Sequence, residues 1–362
     1  MVSEPIQKLD FKVDSFINKL TLIFGPSQTG KTVFIKALMK LLQNDIDLGI
    51  VVSETEPSNR SYDGFIPSCM IHTQLKFVDG PSSISSKKSV EHKENFLNTI
   101  WEWQSERVKF YNVANNLENL IPLAKRIDKD KFKSSYKQIL KLREKTFKKI
   151  RKENDEVSAS EKIEKLNKQY DELIRGICKN IVRKNIKYIN VEKLKEKEKV
   201  CVNYVDFNPK ILIIFDDCAA ELKNIQKTDI FRKYFYQGRH NKITTVICCQ
   251  DDTDIDANLR KNAFNTIFTE PKVTRSYFER AANNFSKGDK SSANKAIDTI
   301  FSTEYRLFVY IRDSRNPYYH LKVEKVKKFR FGNVDLWNYC DSIKRDENEL
   351  NGDSSFFSDF NT

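Results

Sequence analysis

Short runs of unbroken apolar sequence recur along this chain, separated by segments whose apolar residues return every three or four positions. Leu20–Phe24 (LTLIF), the Ile50-Val51-Val52 run within Asp47–Ser53, Ile211–Phe215 within Lys210–Cys218, and Ile243–Gln250 (ITTVICCQ) are β-prone and show no inside–outside alternation. Strands of that kind are covered on both faces, as in a parallel sheet flanked by helices. The residues after Lys31 place Phe34, Ile35, Leu38, Leu41 and Leu42 on one helical side. Lys227–Tyr236 does the same with Ile230, Phe231, Tyr234 and Phe235. Val273–Asn283 and Ser291–Ile300 read as further helices, and Thr266–Phe268 as a short strand. Leu307–Arg312 and Tyr318–Val323 read as a β-hairpin turned at Asp313–Pro317. Glu54–Pro67 (ETEPSNRSYDGFIP) reads as a loop, Met70–Phe77 as a short strand and Asp79–Lys88 as a flexible connector. The pattern predicts an α/β fold with a mostly parallel sheet.

From Val90 to Leu120 the period becomes helical, with Phe96, Ile100, Trp103, Phe110, Ala114 and Leu117 in step. Aromatics at that spacing, Trp101 and Trp103 included, read as core before they read as base-stacking groups. Lys125–Lys199 reads as a basic helical hairpin. Its first arm carries Ile139, Leu142, Phe147 and Ile150; its second carries Ile163, Leu166, Tyr170, Leu173 and Ile177 as a heptad-like seam. Polar Asn154–Ser160 forms the turn, and Ser158 with Glu161 has the form of a capping box. The expected organisation is a first part of the core over 1–89, a basic helical insertion over 90–200, a second part of the core over 201–340 and an acidic disordered tail over 341–362.

Charge changes the picture by its location. The chain carries a net charge of +13, and Lys125–Lys199 holds 25 Lys and Arg against 13 Asp and Glu. Such a concentration points either to a polyanionic partner or to a solvated, lysine-rich projection. Charge by itself supplies only salt-dependent, sequence-independent affinity for nucleic acid. MVSEPIQKLDF lacks the apolar region of a signal peptide, and the longest purely apolar run, Ile211–Phe215, is far too short to span a membrane. Seven cysteines without a C-x-x-C pair, and four scattered histidines, argue against a zinc site and suit a reducing compartment.

The chemistry concentrates where the Leu20–Phe24 strand meets its helix. Gly25-Pro26-Ser27-Gln28-Thr29-Gly30-Lys31-Thr32 is a G-x-x-x-x-G-K-[ST] loop between strand and helix, the context a phosphate-binding P-loop requires. Gly25 and Gly30 let the loop turn with its N–H groups inward, where they and the helix N-terminus hold a polyphosphate. Lys31 reaches the β- and γ-phosphates of ATP, and the Thr32 hydroxyl ligates Mg²⁺. A parallel sheet brings its strand ends to one edge. Asp216 and Asp217, ending an apolar strand, are therefore the expected metal-holding acid and water-polarising base. Gln250 ends the next buried strand at that edge, within reach of the γ-phosphate or the attacking water. Transition-state charge on the γ-phosphate calls for a further cation, and Arg239 and Arg260, flanking the Gln250 strand, are the candidates for an arginine supplied to a neighbouring subunit.

The order GPSQTGKT, ILIIFDDC, QGRHNKITTVICCQ, NLRKNAFNTIF resembles the genome-packaging ATPases of large DNA viruses, the poxvirus-type branch of the FtsK/HerA superfamily. SETEPSNRSYDGFIP also resembles that branch's segment after its second strand. The likeness covers Leu20–Phe77 and Ile211–Val323. It departs in the basic Val90–Lys199 region, in the 185 positions between Lys31 and Asp216, and in Asp217 where the superfamily often has Glu. The resemblance implies a RecA/FtsK-like P-loop ATPase fold and ATP-driven translocation of double-stranded DNA into preformed capsids. It also implies a homo-oligomeric ring, with a hexamer favoured, docked on capsid or membrane-associated packaging-vertex proteins. The location it implies is inside a host cell, in a cytoplasmic virus factory or the nucleus, or with the virion. The same residues admit other readings: a helicase or conjugative coupling motor, or a nucleotide-gated DNA-binding scaffold with little hydrolysis. A small-molecule kinase would need an arginine-rich lid, which the lysine-dominated 125–199 region does not resemble.

Overall fold

A computed structural model describes residues 6–74, 96–154 and 156–353, with side chains up to residue 343. Among these residues nine strands form one sheet: β1 (Gln7–Lys8), β2 (Leu20–Phe24), β3 (Leu48–Val52), β4 (Ile71–His72), β5 (Ile211–Asp216), β6 (Ile243–Cys249), β7 (Asn265–Phe268), β8 (Leu307–Ile311) and β9 (Tyr318–Leu321). Their order is β1-β9-β8-β7-β2-β6-β5-β3-β4. All neighbours run parallel except β7 with β8 and β8 with β9, the predicted hairpin.

Absence of alternation marks burial on both faces. Leu20, Leu22 and Phe24 of β2 enter one core cluster while Ile23 enters the other. Ile213 and Phe215 of β5 likewise oppose Leu212 and Ile214. Each such side chain contributes about 1.5–3 kcal/mol on burial. The helix Lys31–Leu42 covers one face with Phe34, Ile35, Leu38 and Leu42. The helix Asp229–Gln237 covers the other with Ile230, Phe231, Tyr234 and Phe235.

The chain divides into two units, Met1–Glu102 with Lys210–Thr362, and Trp103–Pro209. The division differs from the expected 90–200 insertion at both ends. Phe96, Leu97 and Ile100, at the start of the helix Phe96–Asn115, bury in the core that covers the sheet, so those turns belong to the first unit. Cys201, Val202 and Val205 bury in the second unit's own core. Trp101 packs on that first core, edge-on to Tyr234 with centroids 5.3 Å apart. Trp103 is exposed, with the Arg107 guanidinium 4.3 Å over its ring.

The second unit is helical, built from Leu117–Ile127, Lys129–Glu153, Glu156–Asn185 and Glu196–Asn203 around Leu120, Leu123, Phe132, Ile174 and Ile181. The side chain of Asn116 accepts the Glu118 N–H at 2.9 Å and that of Asp128 accepts the Lys131 N–H at 3.0 Å, starting new helices. Two details correct the sequence reading. The second arm begins at Glu156, so Ser158 lies inside the helix rather than capping it. Leu142 and Leu173 of the expected seam are exposed. The C-terminal helix, Val334–Asp353, also replaces much of the tail expected to be disordered. The Trp337 Nε1–H anchors it on the Phe331 carbonyl at 2.9 Å. The Asp79–Lys88 connector and the last residues of the tail lie outside the described residues.

Candidate nucleotide site

The site is built at the carboxyl ends of β2, β5 and β6. The Gly25 N–H donates to the Cys249 carbonyl at 3.2 Å, and the Thr269 N–H donates to the Phe24 carbonyl at 3.1 Å, so the P-loop starts from a point fixed by strands on both sides. A Cβ on Gly25 would stand 1.8 Å from Thr269 Oγ1, so only glycine permits this approach. Gly30 opens the helix Lys31–Leu42 with φ +96°, a left-handed conformation that suits glycine. Thr29 Oγ1 donates to the Pro26 carbonyl at 2.8 Å and meets Thr269 Oγ1 at 2.5 Å, closing the loop on itself. Pro26, Ser27 and Gln28 remain exposed. Lys31 Nζ folds across the loop, donating to the carbonyls of Gly25 at 2.7 Å and Pro26 at 2.8 Å.

Asp216 ends β5, buried, and its Oδ2 accepts the Tyr62 hydroxyl at 2.7 Å. Burial pushes the Asp216 carboxyl above the usual carboxylate range; the Tyr62 and Cys248 hydrogen bonds and the Lys31 charge oppose the rise. Tyr62 is fully buried, and its hydroxyl is pushed well above its ordinary range by burial and by Asp216. The loop that delivers it is pinned by Glu56, whose Oε1 accepts the N–H groups of Tyr62 at 2.7 Å and Asp63 at 3.0 Å. Burial raises the Glu56 pKa, and those same backbone hydrogen bonds oppose the rise.

Tyr62, Glu56 and Thr269 are the residues the sequence reading missed. The signal for Tyr62 was a single aromatic in a polar loop, SETEPSNRSYDGFIP, with nothing to name its partner. Asp217 follows Asp216 at φ +54°, half-buried, a left-handed conformation unusual for a non-glycine residue. Gln250 is exposed and adjoins Cys249, whose carbonyl holds the P-loop.

The two arginines part company. Arg239 is exposed and lines a cleft with Leu20 and Ile243, at the amino ends of β2 and β6. The seven residues of β6 separate it from its own P-loop by about 20 Å. Arg260 corrects the sequence reading. It is 4% exposed, with its guanidinium donating to the carbonyls of Asp252 and Ile255 and to Asn283 Oδ1, and standing 3.3 Å from Asp252 Oδ2. Buried and hydrogen-bonded through all three of its nitrogens within the chain, the guanidinium is not presented to a neighbour.

Among the described residues no three His, Cys, Asp or Glu side chains group as a metal cage. One buried carboxylate with one P-loop hydroxyl, Asp216 and Thr32, is instead a hard-oxygen donor set that suits Mg²⁺ held jointly with nucleotide phosphates. The raised Asp216 pKa has a sign that can be measured. A carboxylate raised by burial stabilises the fold in its protonated form, below its ordinary pKa of about 3.9. That stability is lost as pH rises through the raised folded-state pKa. Asp216→Asn is therefore expected to gain thermal midpoint over the parent with rising pH and then level off. A variant less stable than the parent by the same margin at every pH would contradict this.

A glycine-turned loop at the end of a central parallel strand, its lysine, and a buried aspartate two strands away define a P-loop nucleoside triphosphatase fold. No family model matches the chain. Over 357 residues it is 38% identical to the uncharacterized protein B354L of African swine fever virus (isolate Pig/Kenya/KEN-50/1950), covering 98% of this chain and 96% of that protein. The chain belongs to the family of the African swine fever virus B354L protein. Among solved structures it is similar to the genome packaging NTPase B204 from Sulfolobus turreted icosahedral virus 2 in complex with ATP-gammaS. The TM-score is 0.36 and the identity 13%, covering 82% of this chain and 93% of that one. The pCW3 conjugation coupling protein TcpA, in monomer form with ATPgS, gives a TM-score of 0.40 at 11% identity, covering 86% and 61%. At TM-scores this low they add nothing to the strand order and loop geometry above.

Proposed function

We propose that this chain is an ATP-hydrolysing motor that translocates double-stranded DNA and packages a viral genome into preformed capsids. The observation that carries the reading is the sheet order: β6, followed directly by Gln250, lies between the P-loop strand β2 and the acid-ended strand β5. Lys31 and the backbone N–H groups of Ser27–Thr32, in the loop that Gly25 and Pro26 start, hold the ATP phosphates. Thr32 and Asp216 hold Mg²⁺, which when bound neutralises charge on the β- and γ-oxygens. Tyr62 keeps the Asp216 carboxylate oriented through its 2.7 Å hydrogen bond. Asp217 orients the water that attacks the γ-phosphorus as ADP leaves, and its left-handed backbone is the kind of local strain that gathers at working sites. Gln250, one residue beyond the carbonyl that anchors the P-loop, reports loss of the γ-phosphate. Arg239, exposed and far from its own P-loop, supplies the transition-state cation to the next subunit of a ring, a hexamer by the resemblance. The viral family supports a location within an infected cell, and no described helix is long and apolar enough to cross a membrane.

The test of translocation is displacement of a third strand annealed to a long duplex. ATP-dependent release by the parent chain, and none by Lys31→Ala, is expected. Release without ATP, or DNA-stimulated hydrolysis with no release, contradicts the motor.

A further inference from the structure

The amino-terminal edge of the sheet, opposite the P-loop, carries a second concentration of chemistry. A cleft of about 250 Å³ opens there between the starts of β2, β6 and β7. Lys19, Arg239, Lys261 and Arg312 all line it, and Asp313 is the one carboxylate among its lining residues. Among the described residues none of the four cations forms an ion pair. Their contacts are neutral. Lys19 Nζ donates to the Asp14 carbonyl at 2.6 Å and stands 3.8 Å over the Phe264 ring, and Arg312 donates to the Lys261 carbonyl. Four like charges gathered with one carboxylate among them leave an excess of positive charge, and an anion in the cleft relieves their repulsion.

A second observation is independent of charge. Thr245 lines the same cleft, 1% exposed, and its Oγ1 is buried without a hydrogen-bond partner. Buried polar atoms are nearly always satisfied, and an unsatisfied one costs about 1–3 kcal/mol. The Thr245 hydroxyl is a donor suited to an oxyanion. Exposed aromatics stand beside it, Tyr236 and Phe264, both in the lining. The cleft is compact, which suits a short polyphosphate better than the long open groove a duplex backbone needs.

We infer that this cleft is a second polyanion site, which takes the polyphosphate of a nucleotide. The nucleotide is either free in solution or held by the P-loop of a second copy of the chain. The inference stands on the cleft's own residues and does not require the motor reading.

The probe is inorganic tripolyphosphate, followed by titration calorimetry on the full chain carrying Lys31→Ala, which disables the P-loop site. Saturable binding that weakens by about tenfold or more in each of Lys31→Ala/Lys261→Gln and Lys31→Ala/Arg312→Gln supports the site. Two variants are used because Arg312 also holds the Lys261 carbonyl and its loss alone could disturb the fold. Dilute protein that still binds identifies the free-nucleotide source. Binding of ATP held by an unmutated chain, appearing only as the proteins associate in sedimentation, identifies the second copy. No binding by Lys31→Ala in any of these arms, or binding indifferent to both substitutions, overturns the inference. So does duplex DNA that occupies the cleft while tripolyphosphate does not compete. A motor that fails to translocate would leave these results untouched.

Discussion

Lys31→Ala is expected to remove ATP hydrolysis while leaving the fold intact. The buried side chain is held by two backbone carbonyls, of Gly25 at 2.7 Å and Pro26 at 2.8 Å, and belongs to neither apolar core cluster. In the proposed reading its ammonium serves the β- and γ-phosphate oxygens of the hydrolytic transition state, where charge develops. A preorganised donor of that kind is worth about 100- to 1,000-fold in rate. Steady-state phosphate release and the thermal midpoint, measured on the same preparation, separate the two effects. A large loss of rate with little change in midpoint is the result expected. Full turnover in the variant would mean that nucleotide is handled elsewhere.

The second large effect belongs to Arg260, and it is one of stability. Arg260→Ala leaves the Asp252 carboxylate, fully buried, without its buried cation partner, although the more exposed Arg280 still reaches it at 2.9 Å. It also strips donors from the Ile255 carbonyl and from Asn283. Breaking a buried pair by removing one partner costs about 3–5 kcal/mol. A drop of many degrees in thermal midpoint is therefore expected. A catalytic finger would behave in the opposite way, with an unchanged midpoint and lost turnover. Arg239→Ala is the comparison, since its exposed guanidinium is expected to matter little to the midpoint.

These two arginines illustrate how far the sequence could be read. Both flank the Gln250 strand, and sequence distance alone does not separate them. What separates them is Asp252 and Asn283, which fold around Arg260 from positions no local pattern connects. The strands were legible because unbroken apolar runs such as ILIIF and LTLIF have only one comfortable place, covered on both faces. The P-loop was legible because its glycines, lysine and threonine are contiguous. Tyr62 was not, because its partner lies 154 positions away and only the sheet order brings the two together. The insertion's limits were misread for a related reason. The helix Phe96–Asn115 keeps one period throughout, yet its first turns bury in the core that covers the sheet while the residues from Trp103 on belong to the other unit.

The most direct measurement is steady-state ATP hydrolysis with and without long double-stranded DNA, with Lys31→Ala as the blank. A motor of the proposed kind hydrolyses ATP only with Lys31 present and runs several-fold faster on duplex. Lysine-dependent hydrolysis that ignores DNA, or none in either protein, would contradict it.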